Sequence, residues 1–239
     1  MKKLFLAILF LFSLTFVAKA CFPEFPRKIA KVDGVCYAYD AGRWYVAGFE
    51  QEQDSIVLKS EVFIDGKKET VEDIYIRKYN NAHDFSSASP RVLVSSKGFK
   101  TIAMLDLPKL EKLYISKTVD RTHDVCTSMY ACFYTPNLKT IIVDKQNKEL
   151  KSENGILFTK DGAYLLKYPA KKAEKEYLIP NNVKSICYGA FENCNLKTVY
   201  YPNQKKGIES YEQFRVYDTS DKAAESMGFD IGKTKFIVK

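Results

Sequence analysis

The sequence predicts a mainly β repeat solenoid, in which short parallel strands stack coil upon coil into a curved sheet. Three observations predict it. A Leu-x-x-aliphatic-x-apolar pattern recurs at Leu110-x-x-Leu113-x-Ile115, Leu138-x-x-Ile141-x-Val143 and Leu196-x-x-Val199-x-Tyr201. The stretch Ile179 to Pro202, IPNNVKSICYGAFENCNLKTVYYP, reads as one complete coil. Its apolar positions Val183, Ile186, Ala190, Phe191, Cys194, Leu196, Val199 and Tyr201 follow neither a helical stripe nor plain alternation. β-rich runs elsewhere are separated by dipeptides such as Asp65-Gly66, which can take the two positive φ angles of a type I′ hairpin turn.

Within that coil, Asn181, Asn182, Asn193 and Asn195 suit tight bends, because asparagine bonds locally to backbone and tolerates left-handed conformations. Ala190 and Phe191 read as small and large fillers beneath the coil. Ile179, Pro180, Val183, Ile186, Ala190, Phe191, Cys194, Leu196, Val199 and Pro202 resemble the repeat of the bacterial BspA-like leucine-rich repeat family, found in Bacteroides-type bacteria. That repeat runs roughly I-P-x-x-V-x-x-I-x-x-x-A-F-x-x-C-x-x-L-x-x-V-x-I-P, and this chain has one residue fewer between Cys194 and Leu196. Upstream, Asn154 to Pro169 (NGILFTKDGAYLLKYP) resembles the hairpin insert that the family often carries. The resemblance implies an exported, non-enzymatic protein that binds protein or host-surface ligands, with adhesion as the theme. It also implies a buried thiol at Cys194.

In chain order, residues 1–20 carry Lys2 and Lys3, an apolar run from Leu4 to Val17, and Ala18-Lys19-Ala20. This is the order of a secretory signal peptide, and the run is too short for a transmembrane segment. Cys21 follows directly, so two readings stand: a lipid anchor at Cys21, or a freely secreted or otherwise surface-held chain. The expected locations are secreted or cell surface, a periplasmic or outer-membrane lipoprotein included. Residues 21–78 read as an N-terminal β-hairpin cap leading into the first coil. Val35 to Tyr39 and Trp44 to Phe49 flank the turn Asp40-Ala41-Gly42-Arg43, and Ser60 to Ile64 faces Glu69 to Val71. A cap is needed because an end coil would otherwise expose its apolar face.

Residues 79–202 read as the repeats, with the insert at 154–169. Tyr79 to Pro90 is polar and turn-rich. Val92, Val94, Phe99, Ile102, Met104 and Leu105 mark a degenerate coil, and within the insert Ile156 to Phe158 is expected to pair with Tyr164 to Leu166. Whether 72–100 make a true coil stays open at this level. Residues 203–239 read as a small C-terminal α/β cap, with a helix capped by Asp218-Thr219-Ser220 and stopped at Gly228, then a strand at Phe236 to Val238.

With 46% hydrophobic residues the chain can bury a sizeable core. Its formal charge of +8 falls to 8 − 3 = +5 without Lys2, Lys3 and Lys19, and acids are interspersed with the bases. That mild excess, together with export, argues against nucleic acid, while anionic glycans or cell surfaces fit a basic face. The six cysteines suggest local disulfides Cys21 with Cys36, Cys126 with Cys132, and Cys187 with Cys194. For Cys194 a disulfide and a buried thiol remain alternatives.

Catalytic signals are weak. His83-Asp84 and His123-Asp124 pair imidazole with carboxylate, and His123 lies near Cys126, yet VCTSMYACF carries no thiol-protease signature. Phosphate loops, HExxH, GxSxG and EF-hand patterns are missing, so no catalytic residue, cofactor or metal is assigned. Asp54-Ser55-Ile56 resembles the short O-glycosylation sequence of some Bacteroides-type bacteria. The candidate ligand-binding face consists of the residues alternating with the buried strand positions: Lys112, Tyr114, Thr140, Ile142, Thr198 and Tyr200. A carbohydrate-binding accessory role, using Trp44, Tyr45 and Tyr200 as aromatic platforms, is the alternative.

Overall fold

The computed structural model describes residues 28–77, 88–120, 133–187, 189–201, 208–210, 215–217, 228 and 232–238. The signal peptide, Cys21, both His-Asp pairs, Cys126, Cys132 and the helix at 218–227 lie outside these residues.

Strands β1 (Lys28–Val32), β2 (Val35–Asp40) and β3 (Arg43–Phe49) form an antiparallel meander. Its turns, Asp33-Gly34 and Ala41-Gly42, both carry two consecutive positive φ angles. That backbone twists with the strands it joins. The second turn was expected; the first, and β1 with it, went unread because Lys28–Val32 is short and carries two lysines. After β4 (Ser55–Leu58), β5 (Glu61–Ile64) turns back into β6 (Lys67–Ile76) at Asp65-Gly66, again with both φ positive.

The chain continues through β7 (Val92–Ser95), β8 (Thr101–Asp106), β9 (Lys112–Ile115), β10 (Phe133–Tyr134) and β11 (Thr140–Val143). These strands alternate between two parallel sheets. β3, β6, β8 and β10 pair side by side in one, and β4, β7, β9 and β11 in the other. Each circuit of the chain therefore contributes one strand to each sheet, so like positions stack on like positions. Ile56, Leu93, Leu113 and Ile141 stand in one register row, all buried, and each such side chain contributes about 1.5–3 kcal/mol by leaving water.

Two of these strands, β4 and β7, are copies of the leucine pattern that sequence inspection missed. Their register aligns the leading Leu110 with Gln53 and Pro90, which hides the pattern. The expected phase of β7 is also off by one residue: Leu93 and Ser95 point into the core, whereas Val92 and Val94 are only half-buried on the other face. A one-residue shift exchanges every side chain between faces. The polar reading of 79–90 needs amendment at its end, since Ala88 and Ser89 are buried and the Ser89 hydroxyl accepts the Lys109 N–H at 2.9 Å.

The later strands are β12 (Leu150–Glu153), β13 (Ile156–Thr159), β14 (Tyr164–Lys167), β15 (Glu176–Leu178), β16 (Ser185–Ile186), β17 (Thr198–Tyr201), β18 (Ile208–Ser210), β19 (Arg215–Tyr217) and β20 (Lys235–Val238). β12, β13 and β14 form an antiparallel meander, β14, β16 and β18 run parallel, and β15, β17 and β20 make a third parallel set. No helix occurs among the described residues. Phe191 stacks on Tyr168 at 5.2 Å, filling the space beneath the coil as its sequence position implied.

The single curved sheet expected from the strand patterns is divided. The turn Asn154-Gly155 lies against β11, where the Gly155 carbonyl accepts the Ile141 N–H (3.0 Å) and the Ser152 hydroxyl accepts the Val143 N–H (3.0 Å). The hairpin thus closes an edge that would otherwise present unpaired donors. Gly155 has φ +79°, and a Cβ there would lie 2.6 Å from Thr140 Oγ1.

Candidate functional site

The outward residues of β4, β7, β9 and β11 form two cross-strand rows. One is Ser55, Val92, Lys112 and Thr140; the other is Val57, Val94, Tyr114 and Ile142. Val57 is 61% exposed and Ile142 39% exposed, with Val94 and Tyr114 half-buried between them. The structure therefore brings Lys112, Tyr114, Thr140 and Ile142 together and adds Val57, whose strand was unread, and Val94, which the one-residue error of phase had placed on the inner face.

Thr198 and Tyr200 do not join that face. They lie on β17, in the sheet of β15 and β20, where register aligns Leu178, Tyr200 and Ile237. This second row is also exposed, with Leu178 at 53% and Ile237 at 42%. The Tyr200 hydroxyl donates to Glu176 Oε2 at 3.3 Å, and the phenol's pKa is raised, first by desolvation and then by the Glu176 charge. The predicted face is thus two faces, because the hairpin separates the strands that carry it.

A charge ladder borders the first face. Asp54, Arg91, Glu111 and Lys139 each immediately precede one of its four strands. Arg91 meets Asp54 at 3.6 Å and Glu111 at 3.2 Å, and Lys139 meets Glu111 at 2.8 Å. Signs alternate from circuit to circuit, so each charge is neutralised by its neighbour. The hydrogen bond from Lys139, with Arg91 beside it, holds the Glu111 carboxyl below its ordinary pKa.

At the opposite corner of the same strands an open groove of 1180 Å³ runs past Lys59, Lys97, Lys117 and Lys148. Acids interleave with these lysines, among them Glu61, Glu72 and Glu149, and Lys100 bonds Glu72 at 2.5 Å. The groove floor is a polar spine: Ser60 Oγ donates to the Lys97 carbonyl (2.8 Å) and Thr118 Oγ1 to the Phe99 carbonyl (2.7 Å). Asn147, buried, donates to the carbonyls of Ser116 (2.9 Å) and Val119 (2.8 Å) and accepts from the N–H groups of Glu149 (2.9 Å) and Leu150 (2.7 Å).

The aromatic platform proposed on Trp44 and Tyr45 is not available. Trp44 is 7% exposed and packs on Tyr39 at 5.2 Å, and Tyr45 is 6% exposed against Tyr75 at 5.9 Å. Desolvation raises the Tyr45 hydroxyl pKa to about 12. Both were read as exposed because alternation on a strand does not say which faces are covered. Cysteine placement also corrects the sequence reading. Among the described residues Cys36, Cys187 and Cys194 make no disulfide, so of the two alternatives for Cys194 the structure has the thiol; Cys21, Cys126 and Cys132 lie outside those residues. Cys194 Sγ instead approaches the Tyr168 carbonyl at 3.7 Å, and burial pushes its pKa to about 12. Among the described residues no group of His, Cys, Asp and Glu is arranged to hold a metal ion, and no helix is long and apolar enough to cross a membrane.

No family model matches the chain, and no curated protein matches it. Solved structures similar to it include the pneumococcal vaccine antigen PcpA, at 16% identity and a TM-score of 0.36, covering 73% of this chain and 64% of that one. A leucine-rich repeat protein from Eubacterium ventriosum is 14% identical with a TM-score of 0.37, covering 70% of this chain and 57% of that one. A leucine rich cell surface protein from Faecalibacterium prausnitzii is 13% identical with a TM-score of 0.29, covering 74% and 71%. The chain spans less than two thirds of the length of the first two.

Proposed function

We propose that this is an exported, non-enzymatic binding protein, a leucine-rich repeat solenoid of the BspA-like type, whose β4-β7-β9-β11 face docks a protein ligand at a cell surface. The observation that supports it most is the row Val57–Val94–Tyr114–Ile142. Apolar residues scattered singly over a surface need no explanation, but four in register on neighbouring strands make a continuous patch roughly 14 Å across, at about 4.8 Å per strand. Its border is charged and its centre holds a tyrosine, the arrangement of a protein interface with a polar rim. Backbone ladders join β4 to β7, β7 to β9 and β9 to β11 and hold the row in one register, so little ordering cost attends docking.

Binding of the labelled mature protein to epithelial cells and to a panel of immobilised surface proteins tests the reading. Val57→Asp/Ile142→Asp is expected to reduce saturable binding about tenfold or more, by placing unpaired charge in a desolvated contact, while the melting temperature stays unchanged. Equal binding by the variant and the parent protein would overturn it.

A further inference from the structure

We propose that the β4-β7-β9-β11 face takes a second copy of this chain, docked face to face about a two-fold axis that runs along the strands. The proposal rests on the reading of that face as a docking surface and names its occupant.

A two-fold axis in that direction reverses the order of the strands and keeps positions along them. β4 then lies over the partner's β11, and β7 over the partner's β9. Such an interface is isologous, so a row of residues serves it only if the row complements itself read backwards. Beyond the two outward rows on the strands there is a third, just past their ends: Lys59, Ser96, Ser116 and Asp144. Its register continues that of the strands, since the Ser96 N–H donates to the Leu58 carbonyl (3.3 Å) and the Asp144 N–H to the Ile115 carbonyl (2.9 Å). The Ser116 N–H bonds Ser95 Oγ at 2.9 Å, on the strand between them.

Read backwards, each row meets its complement. The third row opens with a cation and closes with an anion, so Lys59 faces the partner's Asp144 and Asp144 the partner's Lys59, with serines between. In the apolar row the two most exposed members, Val57 at 61% and Ile142 at 39%, meet each other, and Val94 meets the partner's Tyr114. The row of Ser55, Val92, Lys112 and Thr140 holds one charge, placed off centre. Lys112 therefore faces the partner's Val92, and no like charges are opposed. The other two-fold arrangement that keeps the apolar rows in contact turns the partner about the row itself. It sets Lys59 over Ser55 and Asp144 over Thr140, and both charges go unanswered.

Lys59 and Asp144 are exposed and able to make the new contact. The present partner of Lys59, Asp33 at 3.5 Å, is itself 75% exposed, and such a surface pair is worth little and readily exchanged. Asp144 Oδ1 accepts the Gln146 N–H at 2.8 Å, and its second carboxylate oxygen can take a lysine. Packed sheets lie about 10 Å apart, a gap that these side chains fill from both sides. The patch is small, so the dimer belongs to the weak, transient class.

Sedimentation velocity of the full mature chain, from about 10 µM to about 1 mM, tests the proposal over the range of weak complexes. A dimer that grows with concentration is expected. Lys59→Glu and Asp144→Lys should each raise Kd about tenfold or more, because symmetry turns two attractions into two repulsions. An equimolar mixture of those two variants should associate to within about twofold of the parent, since every contact between the unlike copies joins opposite charges. That rescue cannot come from a folding defect. Lys67→Glu, the same charge change on the β5–β6 turn, should leave Kd unaltered, and Val57→Asp/Ile142→Asp should be monomeric. A parent protein that is monomeric throughout, an unaltered Kd in both single variants, or a mixture no better than its components would each overturn the proposal. Monomeric parent protein whose cell binding is still lost in Val57→Asp/Ile142→Asp would overturn the dimer and leave the docking reading standing. A dimer broken by that variant with no loss of cell binding would support the dimer and overturn the cell-surface reading.

Discussion

Replacing Asn147 by alanine is predicted to be among the most damaging single changes to a polar residue in this protein. Its side chain makes four hydrogen bonds that tie the corner after β9 to the start of β12. Two of the partners, the Val119 carbonyl and the Leu150 N–H, are buried, and each left unpaired costs about 1–3 kcal/mol. The other two, the Ser116 carbonyl and the Glu149 N–H, lie nearer solvent, where water replaces the lost bond and the loss is about 0.5 kcal/mol each. The total is about 3–7 kcal/mol, with a central value near 5. With a urea slope of about 2–3 kcal/mol per molar, the unfolding midpoint followed by circular dichroism should fall by about 2 M. Asn137→Ala is the internal reference. That exposed side chain makes one bond, to the Pro108 carbonyl at 2.7 Å, and its loss should move the midpoint by only a few tenths of a molar. Asn147→Asp keeps the two accepted bonds but turns a carboxylate toward two carbonyls, so it should rank near alanine. Equal shifts for Asn147→Ala and Asn137→Ala would refute the reasoning, since the two sites differ in the number of bonds made and in the burial of the bonded partners.

Two further outcomes follow from particular residues. Gly155→Ala should destabilise by about 2–3 kcal/mol in the same assay, because a left-handed backbone and a Cβ 2.6 Å from Thr140 Oγ1 add their costs; Gly66→Ala, at φ +75° with open space around it, should cost only about 1 kcal/mol. Comparable losses at both glycines would show that the contact with Thr140 relaxes freely. The Glu111 carboxyl has a depressed pKa in the folded chain, held down chiefly by Lys139, so it binds protons less readily folded than unfolded. Its stabilising effect is fully present above the unfolded value, near 4.5, and is lost as pH falls through the folded one. Acid titration of the melting temperature should therefore be shallower below pH 4.5 in Glu111→Gln than in the parent, and parallel curves would argue against the ladder.

Much of the strand architecture was legible because its determinants are local. Leu110, Leu138 and Leu196 announce strands whose buried and exposed positions alternate as read, and Thr140 pairs with Lys112 in the phase that the two patterns require. Ala41-Gly42, Asp65-Gly66 and Asn154-Gly155 mark turns because few other pairs accept two positive φ angles. β4 escaped notice and β7 was read one residue out of phase for the converse reason: Gln53 and Pro90 occupy the leading position, and what identifies these strands is the neighbour they stack upon. Asp144 to Glu153 is polar in composition, yet it contains Asn147, which is buried, and β12, neither of which composition shows.

The sequence by itself determined where the chain turns, which residues alternate on each strand, and that like positions would stack, since φ preferences and the two-residue period of a strand act over a few bonds. Tertiary structure alone decided which outward faces remain outward. Trp44 and Tyr45, adjacent on β3, point to opposite faces of the sheet and both are covered, whereas Val57 is bare. It also decided that Lys112, Tyr114, Thr140 and Ile142 share a face from which Thr198 and Tyr200 are excluded, because the hairpin turn at Asn154-Gly155 bonds the edge of β11. Burial and pairing depend on contacts between residues distant in the chain, and no local preference encodes them.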